Sequence, residues 1–195
     1  MSQHVVFLDR STLKATVRRP SFEHTWEEYE TTSPAQVVER LKNATVAITN
    51  KVALRGDVLA QLPNLKMIGV AATGYDVIDV PACRERGITV SNIRNYAVHT
   101  VPEHAFALIL ALRRSIIAYR QDVERGRWQE VDQFCFFDHP IYDLFDSTIG
   151  IFGEGVLGQG TAKIARGFGM KVLFADHPGP KAPGVEFTPA EEVLA

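Results

Sequence analysis

The chain has 195 residues and a formal charge of −2, from 21 Lys and Arg against 23 Asp and Glu; with no basic block, nucleic acid is excluded as a main partner. Hydrophobic residues make up 46%, which allows a sizeable core and excludes a disordered chain. Cys83 and Cys135 stand far apart without metal-ligand spacing, and no charged leader or long apolar run occurs, so we expect reduced thiols, no metal, no membrane span and a cytoplasmic protein.

In chain order, strand and helix patterns alternate over the first ~95 residues. His4–Asp9 is a short β-rich run. Ser33-Pro34 opens a helix whose apolar face is Val37, Val38 and Leu41, with Ser33 as N-cap and Pro34 in the first turn. Thr45–Thr49 is a strand ending on Asn50-Lys51, and Leu54–Leu62 is a helix. Lys66–Ala71 is a strand ending on Ala72-Thr73-Gly74. Asp79 caps a helix that Gly87 stops, and Ile88–Val90 follows as a strand. This rhythm implies a parallel sheet covered by helices on both faces.

Thr100-Val101-Pro102-Glu103 then reads as a capping box. It opens one long helix to about Arg125, striped by Val101, Ala105, Leu108, Leu112, Ile116, Tyr119 and Val123. A polar and aromatic connector runs from Trp128 to Asp146. After it, Thr148–Phe152 is a strand, Gly153-Glu154-Gly155-Val156-Leu157-Gly158 a tight turn, and Leu157, Thr161, Ile164, Ala165 and Phe168 one face of a helix. Lys171–Ala175 is a second strand, ending on Asp176. This is the glycine fingerprint of a dinucleotide-binding βαβ unit. Gly153 permits the turn, Gly155 lets the backbone approach a pyrophosphate, and Gly158 lets helix and strand pack closely. The helix N-terminus, from Val156 and Leu157, presents free N–H groups to the phosphates. Asp176 suits the adenosine ribose hydroxyls and repels a 2′-phosphate, so the expected cofactor is NAD.

Asn50-Lys51 and Thr73-Gly74 lie at strand C-termini, where ligands of open α/β sheets bind. Successive amides at Thr73 and Gly74 can form a small anion nest, and Lys51 adds positive charge. A carboxylate-bearing substrate fits this, although ordinary turn chemistry explains the same residues. Thr100 faces either a capping role or the cofactor. His99 and His104 flank it with no evident carboxylate partner, and His139 and His177 sit in Pro-containing loops and read as solvated.

Four stretches resemble the D-isomer-specific 2-hydroxyacid dehydrogenases: Ala72–Asp79, Val90-Ser91-Asn92 with Tyr96 and Val101–Ala105, Gly126-Arg127-Trp128, and Thr148–Asp176. Gln133–Ile141 and Thr49-Asn50-Lys51 look most like the glycerate dehydrogenase, or hydroxypyruvate reductase, branch. The resemblance implies a flavodoxin-like substrate domain over residues 1–99, followed by the first part of a Rossmann NAD-binding domain over 100–195. It implies oxidoreduction of a small D-2-hydroxy acid, most readily glycerate and hydroxypyruvate. The loop amides of Thr73 and Gly74 would hold the substrate carboxylate, with Asn50 and Lys51 lining the pocket and Thr100 near the nicotinamide. Helix 101–125 would build a homodimer interface.

Two departures stand out: Asp146-Ser147, where the family has a glycine-containing turn, and acidic Glu154 inside the fingerprint. The family's catalytic Arg, Glu and His lie downstream of the second nucleotide-domain strand, so no catalytic residue is assigned here. The helix pattern after Pro189 reaches Ala195 with no cap or stop signal, so we expect a truncated chain, inactive alone. The alternative is a non-enzymatic nucleotide-sensing or subunit-interaction module derived from the same family.

Overall fold

The computed structural model describes residues 2–195. The chain forms two compact units, the first ending at Arg94 and the second running from Asn95 to Ala195.

In the first unit, five strands form one sheet: β1 Gln3–Phe7, β2 His24–Glu28, β3 Val46–Thr49, β4 Met67–Val70 and β5 Thr89–Asn92. Every pairing is parallel and the order is β2-β1-β3-β4-β5. That is the flavodoxin-like order, whose ligand crevice opens at the C-terminal ends of β1 and β3, where the chain reverses direction across the sheet. Three short helices pack on it: α1 Val37–Leu41, α2 Gly56–Leu59 and α3 Val80–Glu85. Val6, Leu8, Leu41, Ala47, Leu54, Leu59, Ile68 and Cys83 make one fully buried core. Ser33 and Gln36 close a capping box over the 3-10 turn that leads into α1, and the Asp79 carboxylate accepts the Ala82 N–H at 3.0 Å.

Two readings change here. β2 escapes the sequence pattern because His24-Thr25-Trp26-Glu27-Glu28 is a polar, half-exposed edge strand with no apolar alternation. The helix expected over Leu54–Leu62 shrinks to α2, because Leu54 bridges Ile78 and its N–H donates to Val77 O at 3.0 Å. A backbone paired sideways cannot also be helical.

The second unit begins with α4 Thr100–Arg113, α5 Ile116–Glu124 and α6 Arg127–Glu130. The single helix expected over 101–125 is therefore broken. Ser115 sits in the left-handed region at φ 48°, and the connector secures the break. Ser115 Oγ donates to Pro140 O at 2.7 Å, Arg113 Nη2 to Asp143 O at 2.7 Å, and the Tyr142 N–H to Arg113 O at 2.8 Å. The capping box at Thr100 also fails. Thr100 is already helical, His99 takes the N-cap without a side-chain bond, and the Val101 N–H is satisfied by Ala97 O at 3.1 Å, so no hydroxyl cap is needed.

The rest is β6 Thr148–Ile151, α7 Val156–Gly167, β7 Lys171–Ala175, β8 Phe187–Thr188 and α8 Ala190–Leu194, with the three strands parallel in the order β6-β7-β8. The sequence reading stopped at two strands, since β8 has only two residues. α7 buries Ala162 and Ala165 completely, with Ile164 packed beside Ala165, while Leu157 at the start of the expected face stays 38% exposed. A Cβ at Gly160 would lie 2.9 Å from Pro102 Cγ; α4 and α7 thus approach too closely for a side chain there. Phe106 and Phe168 stack with centroids 5.5 Å apart.

Candidate active site

The site residues fall in both units. In the first, the turn after β3 wraps around a buried acid. Asp9 is 3% exposed. Its carboxylate accepts the Asn50 N–H at 2.9 Å on Oδ1, and the Lys51 and Val52 N–H groups at 2.6 and 3.2 Å on Oδ2. The buried Thr49 hydroxyl donates to Val52 O at 3.1 Å and accepts the Val52 N–H at 3.0 Å. Three consecutive amides converge on one carboxylate, which fixes Asn50 and Lys51 at the crevice where the sheet order reverses. Asn50 Oδ1 is shielded from solvent and has no hydrogen-bond partner among the described residues, and the Lys51 side chain is exposed. Sequence reasoning missed Asp9. Its signal was an acid closing the apolar run Val5-Val6-Phe7-Leu8, a place where a charge needs a partner.

Thr73 and Gly74 form an exposed loop beyond β4. The Asn92 side-chain amide donates to Thr73 O at 2.8 Å, and Arg55 Nη1 to Asp76 O at 2.8 Å. Among the described residues no backbone carbonyl accepts the Thr73 or Gly74 N–H, so both amides stay available to an anion.

In the second unit, the glycines behave as distinct parts. Gly153 has φ 100°, open to glycine and strained for other residues. A Cβ on Gly158 would lie 2.0 Å from Gly153 O, whereas one on Gly155 would meet nothing within 4 Å. Gly155 is the N-cap of α7, with no side chain capping it, so the first N–H groups of the helix open onto clear space beside Val156 and Leu157. Thr100 is exposed at the start of α4.

The loop after β7 differs from expectation. His177 is not simply solvated: its Nε2 lies 2.8 Å from Glu154 Oε2, and the Ala182 N–H donates to Glu154 Oε1 at 3.3 Å. Glu154 is thereby tied to this loop; its own backbone N–H and then His177 hold its carboxyl below the usual range. The Pro178 carbonyl, and after it Glu154, push His177 up. Asp176 accepts from Lys181 Nζ at 2.6 Å and from the His177 N–H at 2.7 Å. The Lys181 contact is the main reason its carboxyl is held below the ordinary value. His139 is not solvated either. Its Nε2 lies 2.5 Å from Asp122, which also pairs with Arg125, and Tyr119 Oη donates to His139 O at 2.8 Å. These contacts pin the connector to α5.

The family model described as D-isomer specific 2-hydroxyacid dehydrogenase, catalytic domain, matches residues 5–177. The chain belongs to this family. It is 55% identical to a glycerate dehydrogenase of Methylorubrum extorquens over 177 residues, covering 90% of this chain and 56% of that protein. Among solved structures it resembles the D-lactate dehydrogenase of Aquifex aeolicus complexed with NAD and lactic acid, with TM-score 0.72 and 26% identity, over 97% of this chain and 57% of that one. It also superimposes on an acyclic imino acid reductase in complex with NADPH and D-Arg, with TM-score 0.77 and 23% identity, over 98% and 62%; that likeness concerns the fold alone. The chain thus spans somewhat over half the length of the relatives it matches. The assignment agrees with the resemblance read from Ala72–Asp79 and Thr148–Asp176, and the relatives are enzymes of 2-hydroxy acid oxidoreduction.

Proposed function

We propose that this chain supplies the reactant-binding part of an NAD-dependent reductase of small 2-keto acids, with hydroxypyruvate and D-glycerate as the preferred pair. The carrying observation is the glycine cradle at α7. Gly158 is closed by Gly153 O, Gly155 faces open space, and the helix N–H groups are uncapped. A pyrophosphate fits that cradle, because only backbone surrounds it and the helix end favours negative charge. Asp176 keeps one carboxylate oxygen for ribose hydroxyls, which favours NAD. NAD, when bound, supplies and removes the hydride at the carbon that interconverts keto and hydroxy forms. The residues of this chain do the holding. The Thr73 and Gly74 amides donate to the substrate carboxylate, Lys51 adds charge, and Asn50 lines the same crevice. Thr100 borders the cofactor.

The acid–base step is not assigned to these residues. His99 and His104 have no ion-pair partner among the described residues, His139 is held by Asp122, and His177 is held by Glu154 on the nucleotide loop. A second copy of the chain is the proposed partner of the α4–α5 face, where Leu112 and Ile117 are 79% and 64% exposed. No helix among the described residues is long and apolar enough to cross a membrane, and two free thiols support a cytoplasmic site of action.

The test is NADH oxidation with hydroxypyruvate by the purified 195-residue chain, with intact mass checked on the same sample. We expect NADH to bind without turnover. Turnover would place the acid–base group within these residues, and failure to bind NADH would remove the reading.

A further inference from the structure

The loop between Asp176 and β8 carries a lysine and a histidine, and each sits on a carboxylate of the proposed nucleotide site. Lys181 Nζ lies 2.6 Å from Asp176 Oδ1, and His177 Nε2 lies 2.8 Å from Glu154 Oε2. Asp176 is the only acid at the end of β7, and its backbone is fixed by the Asp176 N–H donating to Thr188 O at 2.7 Å. The Asp176 and Lys181 side chains are both about half exposed, at 45% and 42%. The pair therefore sits at the solvent edge, and the lysine can leave its partner at little cost. Lys181 also lies over the Phe187 ring, Nζ 5.2 Å from the centroid, and this keeps the flexible side chain on the nucleotide side of its loop.

The electrostatic consequence concerns the adenosine ribose. A bare carboxylate at that place accepts the 2′- and 3′-hydroxyls and repels a phosphate on the 2′-oxygen. Here the carboxylate is half neutralised by a lysine that can instead turn to a phosphate. One Asp176 oxygen remains for a ribose hydroxyl, while the ammonium lies one hydrogen bond from the same spot. The acid of the fingerprint, Glu154, is held by His177 and the Ala182 N–H.

Building on the reading of this chain as a nicotinamide dinucleotide binder, we propose that Lys181 is a specificity-determining residue: by pairing with Asp176 it lowers the discrimination against a 2′-phosphate, so that NADP is accepted alongside NAD. The residue does not touch the reacting atoms and changes only how the two dinucleotides are told apart.

The experiment is calorimetric titration of the full chain with NADH and with NADPH, for the wild type, Lys181→Ala and Lys171→Ala. Lys171 pairs with Asp146 at 3.1 Å and carries the same charge change at the opposite end of β7. We expect Lys181→Ala to weaken NADPH about tenfold more than NADH, a difference of about 1.4 kcal/mol, and Lys171→Ala to leave the ratio unchanged. Equal weakening of both dinucleotides by Lys181→Ala, or an unchanged ratio, overturns the proposal while leaving the nucleotide site standing. Wild-type chain that binds neither dinucleotide overturns the underlying reading and the proposal with it.

Discussion

Asp9 shows how one side chain can position two others. Its buried carboxylate gathers the amides of Asn50, Lys51 and Val52, so the loop that carries the proposed substrate-binding residues is held from beneath. Asp9→Ala leaves the part-buried amides of Asn50 and Lys51 without their acceptor, while the Val52 N–H keeps the Thr49 hydroxyl. An orphaned donor costs about 1–3 kcal/mol, so we expect a loss of about 2 kcal/mol or more by urea unfolding, with Asp9→Asn losing less because it keeps one acceptor oxygen. At Glu154 and His177 the charge pair implies a pH window. His177 is raised in the folded chain, so its contribution is complete below its ordinary value of 6.5 and is lost as pH rises through the raised value. Glu154 is lowered, so its contribution holds above 4.5 and is lost as pH falls through the lowered value. The Tm gap between wild type and His177→Gln should then be larger near pH ~5.5 than near pH ~8; a gap that grows toward alkaline pH would contradict the pairing. The glycines were legible from their spacing together with the strand before them and the helix after, and backbone geometry demands Gly153 and Gly158. Asp9, His139 and His177 were not, since their partners are 41, 17 and 23 residues away and no local pattern reports such a contact.

At the scale of elements, what could be read was the period of the buried parts. β1, β3, β4, α3, β6 and β7 carry apolar runs or explicit caps, and each stands where the pattern put it to within a few residues. The misses share a cause. β2 is polar and on the edge, β8 has two residues, and the α4–α5 break is imposed by the connector's hydrogen bonds to Arg113 and Ser115 and not by a breaker residue. The departure noted at Asp146 has a local cost. Asp146 adopts φ 58°, a conformation that glycine takes freely. Its ion pair with Lys171 is largely exposed and offsets little of that cost. Asp146→Gly should raise stability by about 0.5–1 kcal/mol, measured by thermal unfolding; a loss of that size would show that the ion pair outweighs the strain.

For the whole molecule, the sheet order of each unit decides where chemistry can occur. The flavodoxin-like order in the first unit opens its crevice beside Asp9 and Asn50, and the three parallel strands of the second set the fingerprint and Asp176 at their C-terminal ends. Assembly is a property of this scale too. Leu112, Ile116 and Ile117 are exposed apolar side chains on α4 and α5. If a second copy covers them, Leu112→Asp should shift the chain to monomer in light-scattering chromatography, and a monomeric wild type would exclude that use of the face.

The proposed dinucleotide cradle is made of backbone, and Gly155 offers its most direct test. A side chain there meets no protein atom, its φ of −64° is open to any residue, and Thr is about as good an N-cap as Gly. Gly155→Thr should therefore keep the wild-type Tm while NADH affinity, measured by calorimetry, falls at least about tenfold. Undiminished NADH binding by a normally folded Gly155→Thr chain would show that the cradle is not where the dinucleotide binds.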